Sequence, residues 1–446
     1  MYLIEGARIV GEGRIFKGAV LIDGERIEAV YRDEIPESVR SRATVVDADD
    51  CWLLPGVIDT HVHFRDPGFP EKADFHTESC AAAAGGVTSV LDMPNTLPQT
   101  VTLEALEAKM QIASAKSLVN YGFFLGVTQD NQDEIDRADY TRVAGLKLFT
   151  GASTGGMLVT DPQRKQTLFA QAQAPIVVHA EDEQLIRYNR ERLSALHGDD
   201  LPISLHSEIR SAEACFKASS QVVELAHKTG ARLHLAHLST EKELALLENK
   251  PVGEKKITAE TCPQYLYFCD LDYDRLGARI KCNPAVKTLG DRNGLRAALG
   301  SDRLDTIATD HAPHAWSDKQ GNVLQAASGM PGIQFSLPLM LELAKQGVVS
   351  VEQVVEKMCH NPARIFGIAK RGFIRKGYQA DLTIVHRNMR WTLREEDVLS
   401  RCGWSPYAGM EFSTQVRYTF VNGQIAYSPD GVSDSVRGGA LVFRRD

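Results

Sequence analysis

Cysteine is scarce in this sequence. There are eight in 446 residues and none forms a CxxC pair, which excludes a disulfide scaffold and predicts reduced thiols in a cytoplasmic protein. Long apolar runs are missing too. The most apolar stretch, Cys80–Met93, is broken by Gly85, Gly86, Thr88, Ser89 and Asp92, far short of the roughly 20 residues of a membrane span. The opening MYLIEGARIVGEG has neither the basic nor the apolar region of a secretory signal. Positive charge is not in excess: 50 Lys and Arg stand against 58 Asp and Glu, a formal net charge of −8. That balance argues against a general nucleic-acid or anionic-membrane binder. No GxGxxG marks a dinucleotide turn, and there is neither an internal repeat nor a low-complexity tract.

What is present is ordinary globular composition, with a length that predicts several domains at about 150 residues each. The first 50 or so residues read as short strands (LIEGARIV, KGAVLID, RIEAVY), as do the last 70 or so (ADLTIVHR, QVRYTFVNG, QIAYS, GALVFRR), which suits a small antiparallel sheet. Between them, apolar strands alternate with helical stretches: PGVIDTHVH, GVTSVLDM, VNYGFFLGV, VAGLKLFT, APIVVHAE, ARLHLAHLS, KITAETC and DTIATDH. Asp74–Ala84 reads as a helix stopped by Gly85. Thr240 with Glu243 reads as a capping box opening a helix after the sixth strand. The expected fold is α/β: a (β/α)8 barrel over residues 55–372, with a small β-sandwich domain built from 1–54 and 373–446. An open doubly wound sheet is the alternative.

The unusual residues fall at or near the ends of these strands, where a barrel carries its chemistry. His61 and His63 are an i, i+2 pair, so on a strand both point to one side, about 6.6 Å apart at Cα, and can share one ion; two hydrogen-bonded histidines are the plainer alternative. Lys147 lies in Gly145-Leu-Lys-Leu-Phe149, where the leucines face one side and the lysine faces the barrel interior. Unpaired lysines are rarely buried, and desolvation favours the neutral amine, which can add CO2 to become a bridging carbamate. A pair with Asp or Glu, or an outward-reaching chain, remains open. His179 ends the fifth strand. His237 competes with His234 in the sixth and is preferred because it lies nearer the strand exit. Asp310 shares parity with Thr306 and Ala308, small residues that leave room for a cluster.

Gly151-Ala-Ser-Thr-Gly155 matches the GxSxG elbow of serine hydrolases, but Gly156 and Thr160-Asp-Pro162 follow where a helix is needed, so a mobile active-site loop is the reading preferred to a Ser153 nucleophile. Cys262 and Cys269 read as core or wall thiols.

Pro55-Gly-Val-Ile-Asp59-Thr-His61-Val-His63-Phe-Arg65-Asp-Pro-Gly68 resembles the segment that opens the barrel in cyclic-amide amidohydrolases. Arg65 beyond the HxH, and Asp92-Met-Pro-Asn95-Thr96, resemble the dihydroorotase family in particular. Leu146-Lys147, His179-Ala-Glu181, His237-Leu-Ser-Thr, Asn283-Pro284, Asp310-His-Ala-Pro-His314, Ser328-Gly-Met-Pro-Gly332, Asn361-Pro-Ala-Arg and Gly377-Tyr-Gln-Ala-Asp381-Leu extend the match over nearly the whole chain. The resemblance implies two Zn2+ ions. His61 and His63 hold one, His179 and His237 the other, carboxylated Lys147 bridges them, and Asp310 completes the site. It implies reversible hydrolysis of dihydroorotate to N-carbamoyl-L-aspartate, a step of pyrimidine biosynthesis, by a metal-bridging hydroxide with Asp310 as general base and acid. Arg65, Asn95, Asn283 and His314 are the expected substrate contacts, and a homodimer is the expected assembly. Asn283-Pro-Ala-Val-Lys287 departs from the more usual NPPLR. The competing readings are an allantoinase or a dihydropyrimidinase/hydantoinase-type enzyme, and a non-catalytic scaffold that has kept the fold.

Overall fold

The computed structural model describes residues 1–151, 157–198 and 200–445. Ser153 and its neighbours in the GxSxG segment lie outside them. All eight central strand candidates enter one parallel sheet: β1 Val57–Val62, β2 Val87–Asp92, β3 Asn120–Gly126, β4 Val143–Phe149, β5 Ile176–His179, β6 Leu233–Leu238, β7 Ile257–Thr261 and β8 Thr306–Ile307. Each pairs in parallel with the next. The sheet closes where Val62 bridges His311 and the His63 N–H donates to His311 O at 2.8 Å. This is the expected (β/α)8 barrel. Its strands are buried along their whole length, which is why they read as near-continuous apolar runs instead of alternating ones.

The terminal segments form two further sheets. Strands 26–31, 19–23, 2–5 and 44–47 make one, and 431–432, 424–428, 415–421, 382–386, 51–55, 8–11 and 14–17 make the other. Their facing side chains, among them Ile4, Ile9, Val20, Ile22, Leu53, Leu382, Ile384 and Phe420, share a buried core, so both ends of the chain build the small sandwich. Three expectations need correction. The sandwich is not purely antiparallel, because 2–5 pairs with 44–47, and 8–11 with 51–55, in parallel. Residues 439–445 make only isolated bridges, at Ala440 and Phe443, because they run under the barrel, where Leu441 and Phe443 pack against Phe124 and Phe366. Of the Thr240–Glu243 box one half is made, with the Glu243 N–H donating to Thr240 Oγ1 at 3.2 Å, while the Glu243 carboxylate turns to the Thr240 hydroxyl at 2.9 Å, and only a 3-10 turn, Lys242–Leu246, follows.

A buried hydrogen bond and a buried ion pair brace the rim that carries the site. The helix Phe75–Ala84 is capped by Asp74, which accepts the Thr77 N–H at 2.9 Å, and ends at Gly85. It sends Glu78 to His311 Nε2 at 2.7 Å. At the end of β2, Asp92 pairs with Lys109 at 2.5 Å and accepts the Phe64 N–H at 2.7 Å, fixing the backbone between His63 and Arg65. Among the described residues, no helix is long and apolar enough to cross a membrane.

Candidate metal centre

His61, His63, Lys147, His179, His237 and Asp310 come from β1, β4, β5, β6 and the exits of β1 and β8, and all line one cavity of about 310 Å3. Three site residues hold left-handed backbone conformations: Arg65 (φ 65°), His237 (φ 40°) and Asp310 (φ 49°). Such conformations are costly for side-chain-bearing residues and persist only where the surroundings over-determine them.

The hydrogen bonds decide which ring nitrogens face the cavity. His61 Nδ1 contacts a Glu260 carboxylate oxygen, and His63 Nδ1 lies 2.8 Å from Asn95 Oδ1. Both partners are acceptors, so each Nδ1 carries the proton and each Nε2 presents its lone pair. Those two Nε2 atoms lie 3.4 and 3.1 Å from the same Asp310 oxygen. Burial lowers the His63 pKa to about 4, so the ring is neutral near pH 7. Two lone pairs thus point at a carboxylate, an arrangement that a cation between them satisfies. His61, His63 and Asp310 are close enough to share one ion.

A second pair lies beside the first. His179 Nε2 is 3.0 Å from Glu181, and its Nδ1 is 2.8 Å from His237 Nε2. The His61 and His237 rings stack at 5.2 Å. Among the described residues, the buried Lys147 Nζ has no hydrogen-bond partner. Desolvation lowers its pKa to about 8, although Glu260 and Asp310 pull the other way. Neither the paired nor the outward-reaching alternative holds for this lysine. Burial would raise the Asp310 carboxyl; protonated rings at His61, His63 and His237 pull it well below the usual carboxylate range, and where those rings are neutral a cation takes that part. An orphaned amine, converging imidazoles and an ionised carboxylate are the donor set of a two-cation centre. A separate group, His76, Cys80 and Asp434, lines no part of this cavity.

The expected substrate contacts lie in the same wall. Arg65 is buried, its Nε donating to Pro313 O and one terminal nitrogen lying 3.1 Å from His314 Nε2. That same His314 nitrogen is 3.1 Å from Ser328 O. It can accept from the guanidinium or donate to the carbonyl, but not both. Asn95 spends its oxygen on His63, which leaves its amide N–H groups for the cavity, and Asn283 Oδ1 has no partner. Lys287 is buried and donates to Ala285 O at 2.9 Å without lining the cavity. His234 also turns away, bonding Thr258 and Glu260.

Two carboxylates that sequence reasoning left without a role complete the centre. Glu260 on β7 contacts His61 and His234 and accepts from Thr60 Oγ1 and the His237 N–H. Glu181 pairs with His179 and Arg210. The available signal was a glutamate inside an apolar strand, which is buried only when paired.

Comparison with known proteins places this geometry. The model of the amidohydrolase family matches residues 52–426. A dihydroorotase of Methanosarcina acetivorans is 32% identical over 96% of this chain and 92% of its own length. An allantoinase of Bacillus velezensis is 30% identical over 97% and 95%. Among solved structures, L-hydantoinase (dihydropyrimidinase) from Arthrobacter aurescens superposes with a TM-score of 0.91 at 26% identity, covering 99% of both chains. The chain belongs to the amidohydrolase family, within its cyclic-amide hydrolases.

Proposed function

We propose that the protein hydrolyses, reversibly, the ring amide of a small cyclic ureide, using two divalent cations. The observation that carries this reading is the convergence of the four histidines, Lys147 and Asp310 on one cavity, with lone pairs facing inward. His61, His63, His179 and His237 would hold the cations, with zinc the natural match to imidazole donors. The neutral Lys147 amine would add CO2, forming an N–C bond and losing a proton, and the resulting carbamate would bridge them. When bound, such a pair supplies Lewis acidity to a carbonyl and makes a water nucleophilic near neutral pH. Asp310, ionised and facing the imidazoles, would take the proton released as water adds to the ring carbonyl and return it to the leaving ring nitrogen. Ring closure follows the reverse path. It starts from a free carboxylate and consumes a proton, so lower pH favours it.

The ring class includes hydantoins, dihydropyrimidines, allantoin and dihydroorotate. The structural likeness to L-hydantoinase and the 30% identical allantoinase support the first three. Arg65 supports a narrower reading. A buried guanidinium at the cavity wall, its pKa lowered to about 10 by burial, lacks a carboxylate among its hydrogen-bond partners. It offers a fork that fits a substrate carboxylate, and dihydroorotate is the ring of this set that carries one directly. Curated dihydroorotases at 32–34% identity agree. Turnover of dihydroorotate against hydantoin, dihydrouracil and allantoin, before and after chelation, tests both readings. Activity on the last three alone would discard the narrow one, and activity on none would discard both.

A further inference from the structure

Ser328 and Gly329 form part of the cavity wall, yet they belong to a loop without regular structure. That loop is held from behind by two buried lysines. Lys319, at the end of the 3-10 turn Trp316–Lys319, is only 1% exposed. Its Nζ donates to Ala327 O and Gly329 O at 2.7 Å each and to Lys281 O at 3.0 Å. Three N–H donors meet three carbonyls, so the ammonium is saturated by backbone alone. Among the described residues it has no carboxylate partner within ion-pair distance, and it lies 5.7 Å from the centre of the Trp404 ring. Lys281 likewise donates to Ala326 O, and the Gly329 N–H returns to Lys281 O at 2.9 Å. Three residues, Ala326, Ala327 and Gly329, are thereby tied to this base on either side of Ser328.

The loop in turn touches the recognition residues. Ser328 O lies 3.1 Å from His314 Nε2, which lies 3.1 Å from the Arg65 guanidinium. Gly329, at φ +135°, packs so closely that an added Cβ would sit 2.7 Å from Ala312 O and 3.0 Å from His314 Cδ2. A displacement of this backbone toward Ala312 and His314 has no free space to enter.

We propose that Lys319 is a positioning residue for substrate recognition: its ammonium fixes the 326–329 backbone against His314, and through His314 sets the Arg65 guanidinium for a ring carboxylate. The inference rests on reading this cavity as the ring site. It also accounts for a lysine buried without a counter-ion, a costly arrangement unless every donor is satisfied. Apolar residues would fill the space as well but would leave the Ala327 and Gly329 carbonyls unpaired, with Lys281 O keeping only the Gly329 N–H.

The test is Lys319→Met, which keeps the length of the chain and removes the donors. Kinetics with dihydroorotate, metal content, and hydrogen exchange of the amides at 326–330 are measured on the metal-loaded enzyme. The expected result is a KM raised about tenfold, the equivalent of one lost charge-assisted hydrogen bond, with kcat nearly unchanged, metal content equal to wild type and faster exchange at 326–330. Faster exchange with an unchanged KM overturns the proposal, as does a loss confined to kcat or accompanied by metal loss. If Lys319→Met does not fold, Gly329→Ala displaces the same backbone without touching the lysine and carries the same expectation and the same refutation. Failure of the dihydroorotate reading is distinguishable, because it is seen in wild-type turnover. The KM of whichever ring the wild type opens, read with the exchange at 326–330, then decides the proposal.

Discussion

Replacing Glu260 by glutamine probes how the barrel aims its histidines. One Glu260 oxygen takes the contact with His61 Nδ1 and the His237 N–H at 3.1 Å; the other faces Thr60 Oγ1 at 3.2 Å and His234 Nε2 at 3.3 Å. Burial would raise this carboxyl, but His61 and His234 hold it well below its usual range, so the native group is an anion. Glutamine with its carbonyl toward His61 keeps the geometry and loses the charge. A charge-assisted hydrogen bond is worth roughly 1.5–3 kcal/mol and a neutral one roughly 0.5–1.5, so the loss is about 1–1.5 kcal/mol, close to tenfold. Glutamine turned the other way presents N–H to His61, forces the proton onto Nε2 and removes that nitrogen as a ligand. The loss then approaches the roughly 100-fold upper end seen for partners of metal-binding histidines. Metal affinity by chelator competition, with kcat alongside, measures it, and a melting curve confirms the fold. Affinity and kcat both within twofold of wild type would refute the argument that Glu260 orients His61.

Arg65→Met is expected to raise KM for dihydroorotate by about 10–100-fold, from one or two charge-assisted hydrogen bonds, with metal content unchanged; steady-state kinetics and metal analysis read both, and an unchanged KM would count against the carboxylate role. Lys147→Ala is expected to lose metal and turnover together, and full metal occupancy in that variant would contradict a bridging lysine. Asp92→Ala strands the buried Lys109 ammonium and the Phe64 N–H, so urea unfolding is expected to show a loss of about 3–5 kcal/mol; a loss under 1 kcal/mol would mean that the pair is dispensable. Glu181 is depressed below its ordinary pKa of 4.5: burial opposes the shift, and Arg210 and His179 drive it. A carboxyl held lower in the folded state contributes stability above its unfolded pKa and loses it as pH falls. Stability of the metal-free protein should therefore decline below about pH 4.5, and Arg210→Met should flatten that decline; an unchanged acid limb in the variant would refute the assignment.

Much of this architecture was legible because two periodicities are simple. Parallel strands buried on both faces read as apolar runs, and all eight appeared where the runs are. The i, i+2 spacing of His61 and His63, and the parity of Lys147 between Leu146 and Leu148, place side chains in the barrel by geometry alone. Glu260 escaped because one strand shows a glutamate's parity but not the imidazoles on neighbouring strands that justify its burial. Lys319 escaped because its partners are carbonyls of an aperiodic loop, and backbone acceptors leave no trace in sequence. The 439–445 segment misled for the converse reason: an apolar pattern records that Leu441 and Phe443 are buried, not that they have a strand beside them. The pair Thr240–Glu243 made one of the two bonds of a capping box, and a cap specifies a first turn and not how many follow.

Metal titration of chelated protein tests the central claim most directly. Ring-opening turnover should be absent without metal, rise as zinc is added, and reach its plateau at two equivalents per chain in the presence of bicarbonate. Full turnover by metal-free protein, or a plateau without activity on any cyclic ureide, would contradict the account.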